Sequence, residues 1–146
     1  MNPVPAVGID FGSKRIGIAT SESLELATPH STIRYSGAVE EAIDKLARLV
    51  SELDADLLVL GVPRGGRKDG EAIEQRFEAI AAKLRERSGR EVVLWDESHS
   101  TVEAASRRRE RGRHWKSYRD EIDREAAAVI LQSYLDERAR RLSSPQ

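Results

Sequence analysis

The hydrophobic positions change period along the chain, and each change marks an element. Val7-Gly8-Ile9-Asp10-Phe11 and Arg15 to Thr20 are short runs separated by Gly12-Ser13-Lys14, the pattern of a β-hairpin. Ala27 to Tyr35, with Ser31, Thr32 and Ile33, reads as a third strand. From Ala38 to Leu53 the period becomes helical: Val39, Ala42, Ile43, Leu46, Leu49, Val50 and Leu53 share one face. Asp56 to Pro63 is almost continuously apolar, which suits a parallel strand covered on both faces. A glycine-rich loop, Arg64 to Gly70, follows. Asp69 caps a second helix whose stripe is Ala72, Ile73, Phe77, Ile80, Ala81 and Leu84 and whose stop is Gly89. Glu91 to Trp95 is the last strand and ends in Asp96-Glu97. Ser100 and Glu103 have capping-box spacing and open a helix to about Arg111. Gly112 to Asp120 reads as a loop, Ile122 to Leu142 as the final helix, and 143–146 as a frayed tail.

The element order is β-β-β-α-β-α-β-α-α. Strands joined by short turns pair antiparallel, and strands reached through a helix pair parallel. The expected fold class is α/β: a mixed five-stranded sheet, three antiparallel then two parallel strands, with helices on both faces. That order resembles the ribonuclease H-like fold. No repeat or linker interrupts the 146 residues, so one domain spanning 1–146 is expected.

Composition narrows the setting. Charged residues make up 34% of the chain, yet the formal net charge is only −1, so nucleic-acid binding requires a local basic patch. The absence of cysteine excludes disulfides and thiolate metal sites and fits a reducing compartment. MNPVPAV has no basic and apolar leader pattern, and no apolar run reaches the ~18 residues of a membrane span. A cytoplasmic protein with no membrane partner is expected.

Three carboxylates stand out. Asp10 interrupts an apolar strand, where an unpaired charge costs several kcal/mol or is neutralised. Glu97 closes the last strand, and ligands of open α/β sheets gather at the carboxyl ends of parallel strands. Asp123 shares helical spacing with Ala127, Ile130 and Tyr134, which puts it on or beside the stripe facing the sheet. In a helix opening at Ile122 it also lies in the first turn, where the helix dipole favours a negative charge. The fold gathers all three at one edge of the sheet. Their mutual repulsion is relieved by a hard divalent cation, Mg²⁺ or Mn²⁺, and such ions clamp the attacking and leaving oxygens in phosphodiester hydrolysis. Asp10, Glu97 and Asp123 are thus the expected catalytic and metal-binding residues.

Basic and aromatic residues cluster between Glu97 and Asp123. Arg107, Arg108, Arg111, Arg113 and Lys116, interleaved with Trp115 and Tyr118, suit phosphates and unpaired bases. Arg64, Arg67 and Lys68 form a second basic loop that lacks phosphate-loop spacing, and Lys14 and Arg15 flank the first turn. These residues are the expected nucleic-acid contacts.

With these residues assembled, the chain resembles the YqgF/RuvX family, the Holliday junction resolvases and pre-16S rRNA nucleases. The resemblance is carried by GIDFGSKRIGIATSES from Gly8, LLVLGVPRGGRKDG ending at Gly70, LWDESHSTVEAA from Leu94 and DREAAAVILQSYLDE from Asp123. It implies metal-dependent phosphodiester hydrolysis in rRNA precursor processing or junction resolution. It also implies that Asp10, Glu97 and Asp123 are the family's acidic residues. One departure is plain: where the family reads DERLTT this chain reads DESHST, so Ser98 replaces a phosphate-gripping arginine and His99 a leucine, while Thr101 is kept. Two other readings follow from the residues: a non-catalytic nucleic-acid adaptor, suggested by Ser98, and an actin-like nucleotide-binding domain, suggested by Asp10-Phe11-Gly12 in the hairpin. Junction cleavage needs paired incisions and hence a homodimer. No dimer seam is evident, and an RNA precursor is the favoured substrate over branched DNA.

Overall fold

The computed structural model describes residues 4–63, 70–97 and 115–143. Strands β1 (Ala6–Phe11), β2 (Arg15–Ser21) and β3 (Thr28–Arg34) form an antiparallel meander. Helix α1 (Val39–Leu53) leads to β4 (Leu57–Val62), helix α2 (Gly70–Ser88) to β5 (Glu91–Asp96), and helix α3 (Trp115–Ser143) follows. The sheet order is β3-β2-β1-β4-β5, with β4 parallel to both β1 and β5. This is the mixed sheet expected from the element order, with β1 in the middle.

The two faces of the sheet are built from different residues. Ile9, Ile16, Ile18, Leu58 and Leu60 point to one face and are fully buried with Ile43, Leu46 and Val50 of α1 and Phe77, Ile80 and Leu84 of α2. Ala72, assigned to the α2 stripe from sequence, is exposed instead. The stops read from sequence hold: Gly89, at φ +69°, ends α2 with its N–H on the Arg85 carbonyl. The opposite face carries Ala6, Ala19 and Val59, covered by Ala127, Ile130, Leu131 and Leu135 of α3.

Glycines let α3 lie close on that second face. A Cβ at Gly8 would sit 2.7 Å from Leu131 Cβ and 2.8 Å from the Ala127 carbonyl oxygen. At Gly61 it would sit 2.6 Å from Ile130 Cδ1, and at Gly17 it would run into the backbone carbonyl of Asp123. Gly17 on β2 lies opposite Asp10, Gly8 on β1 lies between Ala19 and Val59, and Gly61 lies on β4, so the three open separate gaps in this face of the sheet. The helix settles onto them.

Polar clamps fix both flanks of α3. Gln132 Oε1 accepts from the Ala27 N–H, and its Nε2 donates to the Glu25 carbonyl, each at 2.8 Å. Thr32 Oγ1 donates to the Asp120 carbonyl and Arg34 Nη2 donates to Asp120 Oδ1, both at 2.8 Å.

The start of α3 corrects the sequence reading. The segment from Trp115 to Asp120, expected to be loop, is helical. Its polar and aromatic composition hides a helix that continues over β3, where the Asp120 contacts hold it. Asp123 therefore lies beyond the first turn, and the helix dipole does not account for its charge.

Gly17→Ala should lower stability by roughly 2–3 kcal/mol, because a backbone carbonyl cannot rotate away from the added methyl. Gly70→Ala, with open space around its Cβ position, should change stability little. Urea denaturation of both variants checks the pair.

Candidate active site

Asp10 lies near the carboxyl end of β1, and its cross-strand partner on β2 is Gly17. Side chains directly opposite in an antiparallel pair share a face, so Asp10 belongs to the face under α3. Because Gly17 has no side chain, the Asp123 turn of α3 comes down beside Asp10. This explains the charge inside an apolar strand: the residue opposite has been removed to bring a second carboxylate near.

Glu97 arrives from the other side. Its N–H donates to the Val62 carbonyl at 3.1 Å, which extends the β4–β5 ladder by one residue past Asp96. Alternation along the strand turns Asp96 outward, where it is exposed, and turns Glu97 to the α3 face, where it is 9% exposed. Its Oε2 lies over Gly61, 2.9 Å from where a Cβ would stand. Gly61, one of the glycines under α3, thus also makes room for Glu97.

Asp10 and Glu97 are in hydrogen-bond contact. Burial raises the Asp10 pKa well above the ordinary carboxylate range. The negative charges of Glu97 and Asp123 and the hydrogen bond to Glu97 add to the rise, and Arg15 opposes it. A divalent cation at the pair would relieve the repulsion among these carboxylates. Asp123 is also raised, first by burial, while its hydrogen bond and charge interaction with Arg15 pull the other way. Arg15 Nε donates to Asp123 Oδ2 at 2.7 Å.

The result is a two-plus-one arrangement. Asp10 and Glu97 are already together, and Asp123 stands by, bound to Arg15. Among the described residues no three carboxylate or imidazole groups form a finished set of metal ligands. The donors fit a hard divalent ion in kind, since all are carboxylate oxygens and two already share one position.

The expected nucleic-acid contacts fall into three groups. Lys14 is exposed on the β1–β2 turn, which is pinned by the Gly12 N–H on the Arg15 carbonyl and the Tyr35 N–H on the Lys14 carbonyl. Arg15, expected to face phosphate, donates through Nε to Asp123. Trp115, Lys116 and Tyr118 begin α3 rather than lying in a loop. Arg64, Arg67, Lys68, Arg107, Arg108, Arg111 and Arg113, together with Ser98 and His99, lie outside the described residues.

The sequence reading passed over the glycines under α3 and the Arg15–Asp123 pair. The glycines had a signal in Ala127, a small residue on the α3 stripe whose carbonyl comes against Gly8.

The family model described as "RuvX: Holliday junction resolvase" matches residues 5–137. A protein of Mycobacterium sp. (strain KMS) named "Putative pre-16S rRNA nuclease" is 39% identical over 141 residues, covering 95% of this chain and 83% of the relative. One of the same name from Nitrosospira multiformis is 38% identical over 137 residues, covering 91% of this chain and 88% of its own. Among solved structures, T. thermophilus RuvC in complex with Holliday junction substrate aligns with a TM-score of 0.55 at 11% identity, covering 92% of this chain and 94% of that one. The Fowlpox virus resolvase complex with Holliday junction DNA aligns with a TM-score of 0.56 at 10% identity, covering 90% and 97%. This structural likeness establishes the ribonuclease H-like fold that the element order resembles.

The raised Asp10 pKa has a consequence for stability. Between the ordinary carboxylate range and its raised value, the folded state keeps a proton the unfolded state has lost. Stability from this group is therefore greatest at low pH and falls as pH rises through that window. Asp10→Asn has no such charge to desolvate, and its amide can still donate to Glu97. In chelator at neutral pH it should melt a few degrees above the parent, and the gap should close toward pH 4. Thermal melts across that pH range check both.

Proposed function

We propose that this chain, which belongs to the RuvX family, is a divalent-metal-dependent nuclease that hydrolyses phosphodiester bonds of nucleic acid. One observation carries the reading: Asp10 and Glu97, from strands far apart in sequence, share a hydrogen bond beneath the helix that carries Asp123. An enclosed acid pair that raises its own proton affinity is a poor structural device. It is a good receptor for Mg²⁺ or Mn²⁺.

Asp10, Glu97 and Asp123 would hold the metal. When bound, it supplies Lewis-acid activation of water and neutralises charge developing on the phosphate. The chain's own part is placement. β1 and β5 fix Asp10 and Glu97 from two strands separated only by β4, and α3 holds Asp123 above them. Gly17 lets the Asp123 backbone come down beside β2, and Gly61 leaves room for Glu97. Lys14 on the adjoining turn is exposed and free to meet a phosphate of the incoming strand.

We assign an rRNA precursor as substrate, which agrees with the name borne by relatives at 38–39% identity. A four-way DNA junction is the second reading, favoured by the family description. It would require a homodimer to make paired cuts. The expected location is the cytoplasm. Among the described residues no helix is long and apolar enough to cross a membrane.

Labelled pre-16S rRNA fragments and four-way junctions, incubated with Mg²⁺ or Mn²⁺, test the assignment. The parent should cut the RNA. Asp10→Asn and Glu97→Gln should each lower cleavage by about a thousandfold or more, as expected when a group essential to the chemistry is removed. Equal cutting by parent and variants would overturn the nuclease reading. Binding without cleavage by any form would support the adaptor.

A further inference from the structure

We infer that Arg15 is a positioning residue that competes with the divalent ion for Asp123, so that filling the carboxylate site frees its guanidinium for the phosphate. This rests on the nuclease reading above. It goes further in assigning an order of events to one residue.

The geometry sets up a competition. Asp10 and Glu97 already face each other, so the site lacks only its third carboxylate. That carboxylate is engaged: Asp123 Oδ2 accepts from Arg15 Nε at 2.7 Å. The side chains of Arg15 and Asp123 are 29% and 16% exposed, so water screens the pair only in part. An oxygen charge-compensated in this way is a weaker ligand for a second cation. With a divalent ion held by Asp10 and Glu97, Arg15 would be repelled and Asp123 would be drawn away from it toward the pair.

Release requires little movement. The backbone of Arg15 is fixed by the Gly12 N–H on its carbonyl at 3.0 Å, and Gly12 permits that approach because a Cβ there would stand 2.6 Å from the same oxygen. Only the side chain needs to rotate. Its position on β2 is two residues before Gly17, on the face that carries Asp10, so the freed group stays at the carboxylate edge. Only Nε is engaged: among the described residues the two terminal nitrogens of Arg15 make no hydrogen bond. They are the fork suited to two phosphate oxygens. Metal loading and phosphate capture are thereby coupled, because one guanidinium serves Asp123 before loading and the substrate after it.

A passive strut gives the opposite expectation. If Arg15 merely props Asp123 in place, removing it weakens metal binding. If it competes, removing it tightens binding. Mn²⁺ titration of the full chain, followed by electron paramagnetic resonance in the absence of nucleic acid, separates the two. Arg15→Ala should bind Mn²⁺ roughly two- to fivefold more tightly than the parent, the scale of a partly exposed ion pair. In an Asp123→Asn background the same change should have little effect. Cleavage of RNA by Arg15→Ala should nonetheless fall, mainly through a higher KM, and Arg15→Lys should restore part of it. If Arg15→Ala does not fold, Arg15→Gln, which removes the charge but keeps a donor, should show the same tightening. Weaker or unchanged Mn²⁺ affinity in a folded charge-removing variant overturns the inference. A parent that binds no Mn²⁺ overturns the metal-nuclease reading itself, and this inference with it.

Discussion

The close approach of the α3 backbone to the middle of the sheet is the constraint from which the rest of the structure follows. It is possible only because Gly17, Gly8 and Gly61 carry no side chains where the helix crosses β2, β1 and β4. Had those positions been filled, α3 would ride higher by about the thickness of a methyl layer. The Asp123 turn would then stand away from Asp10, and Glu97 would have no space over Gly61. The same glycines that weaken each strand locally, since glycine neither packs nor favours extended backbone, let the acidic groups come together. Contact is recovered elsewhere, through Ala127, Ile130, Leu131 and Leu135 and through the clamps at Gln132 and Asp120. The large aliphatic residues sit on the other face, where α1 and α2 form a conventional core.

The two faces therefore do different work. One supplies stability through Ile, Leu and Phe packing. The other stores electrostatic tension. Asp10 is held where its charge is disfavoured by burial and by two other acids, and among the described residues Arg15 opposes this. Such an arrangement survives because the first face can support it. It also gives a physical sense to ligand binding here: a cation at these carboxylates would stabilise the folded chain as well as enable chemistry.

Much of this was legible in the sequence, for reasons specific to each part. The sheet order followed from three strands without intervening helices and two strands each preceded by one. Asp10 was legible because a charge in an alternating apolar strand is conspicuous, and Glu97 because it closes a strand that ends at a sheet edge. Asp123 was legible by its spacing from Ala127 and Ile130. The start of its helix was not, because Trp115 to Asp120 shows no apolar stripe and is held by side-chain contacts to β3. The Arg15–Asp123 pair was hidden as well, since the two residues are 108 positions apart and no local pattern joins them. The glycines read individually as weak points in strands. Only the docked helix reveals them as a set.

The placement of Asp123 on α3 also bears on how the chain is made. Synthesis delivers β1 through β5 first, and with them Asp10 and Glu97, already on neighbouring parts of one sheet. The third carboxylate, and the helix that encloses the other two, are translated afterwards. Until the segment from Trp115 to about Ser143 has left the ribosome and docked, the acid pair is open to water and its partner is absent. A half-made chain therefore carries an incomplete acidic cluster. A protein proposed to cut ribosomal RNA precursors would thus acquire its full set of carboxylates only when its last described helix has emerged and docked.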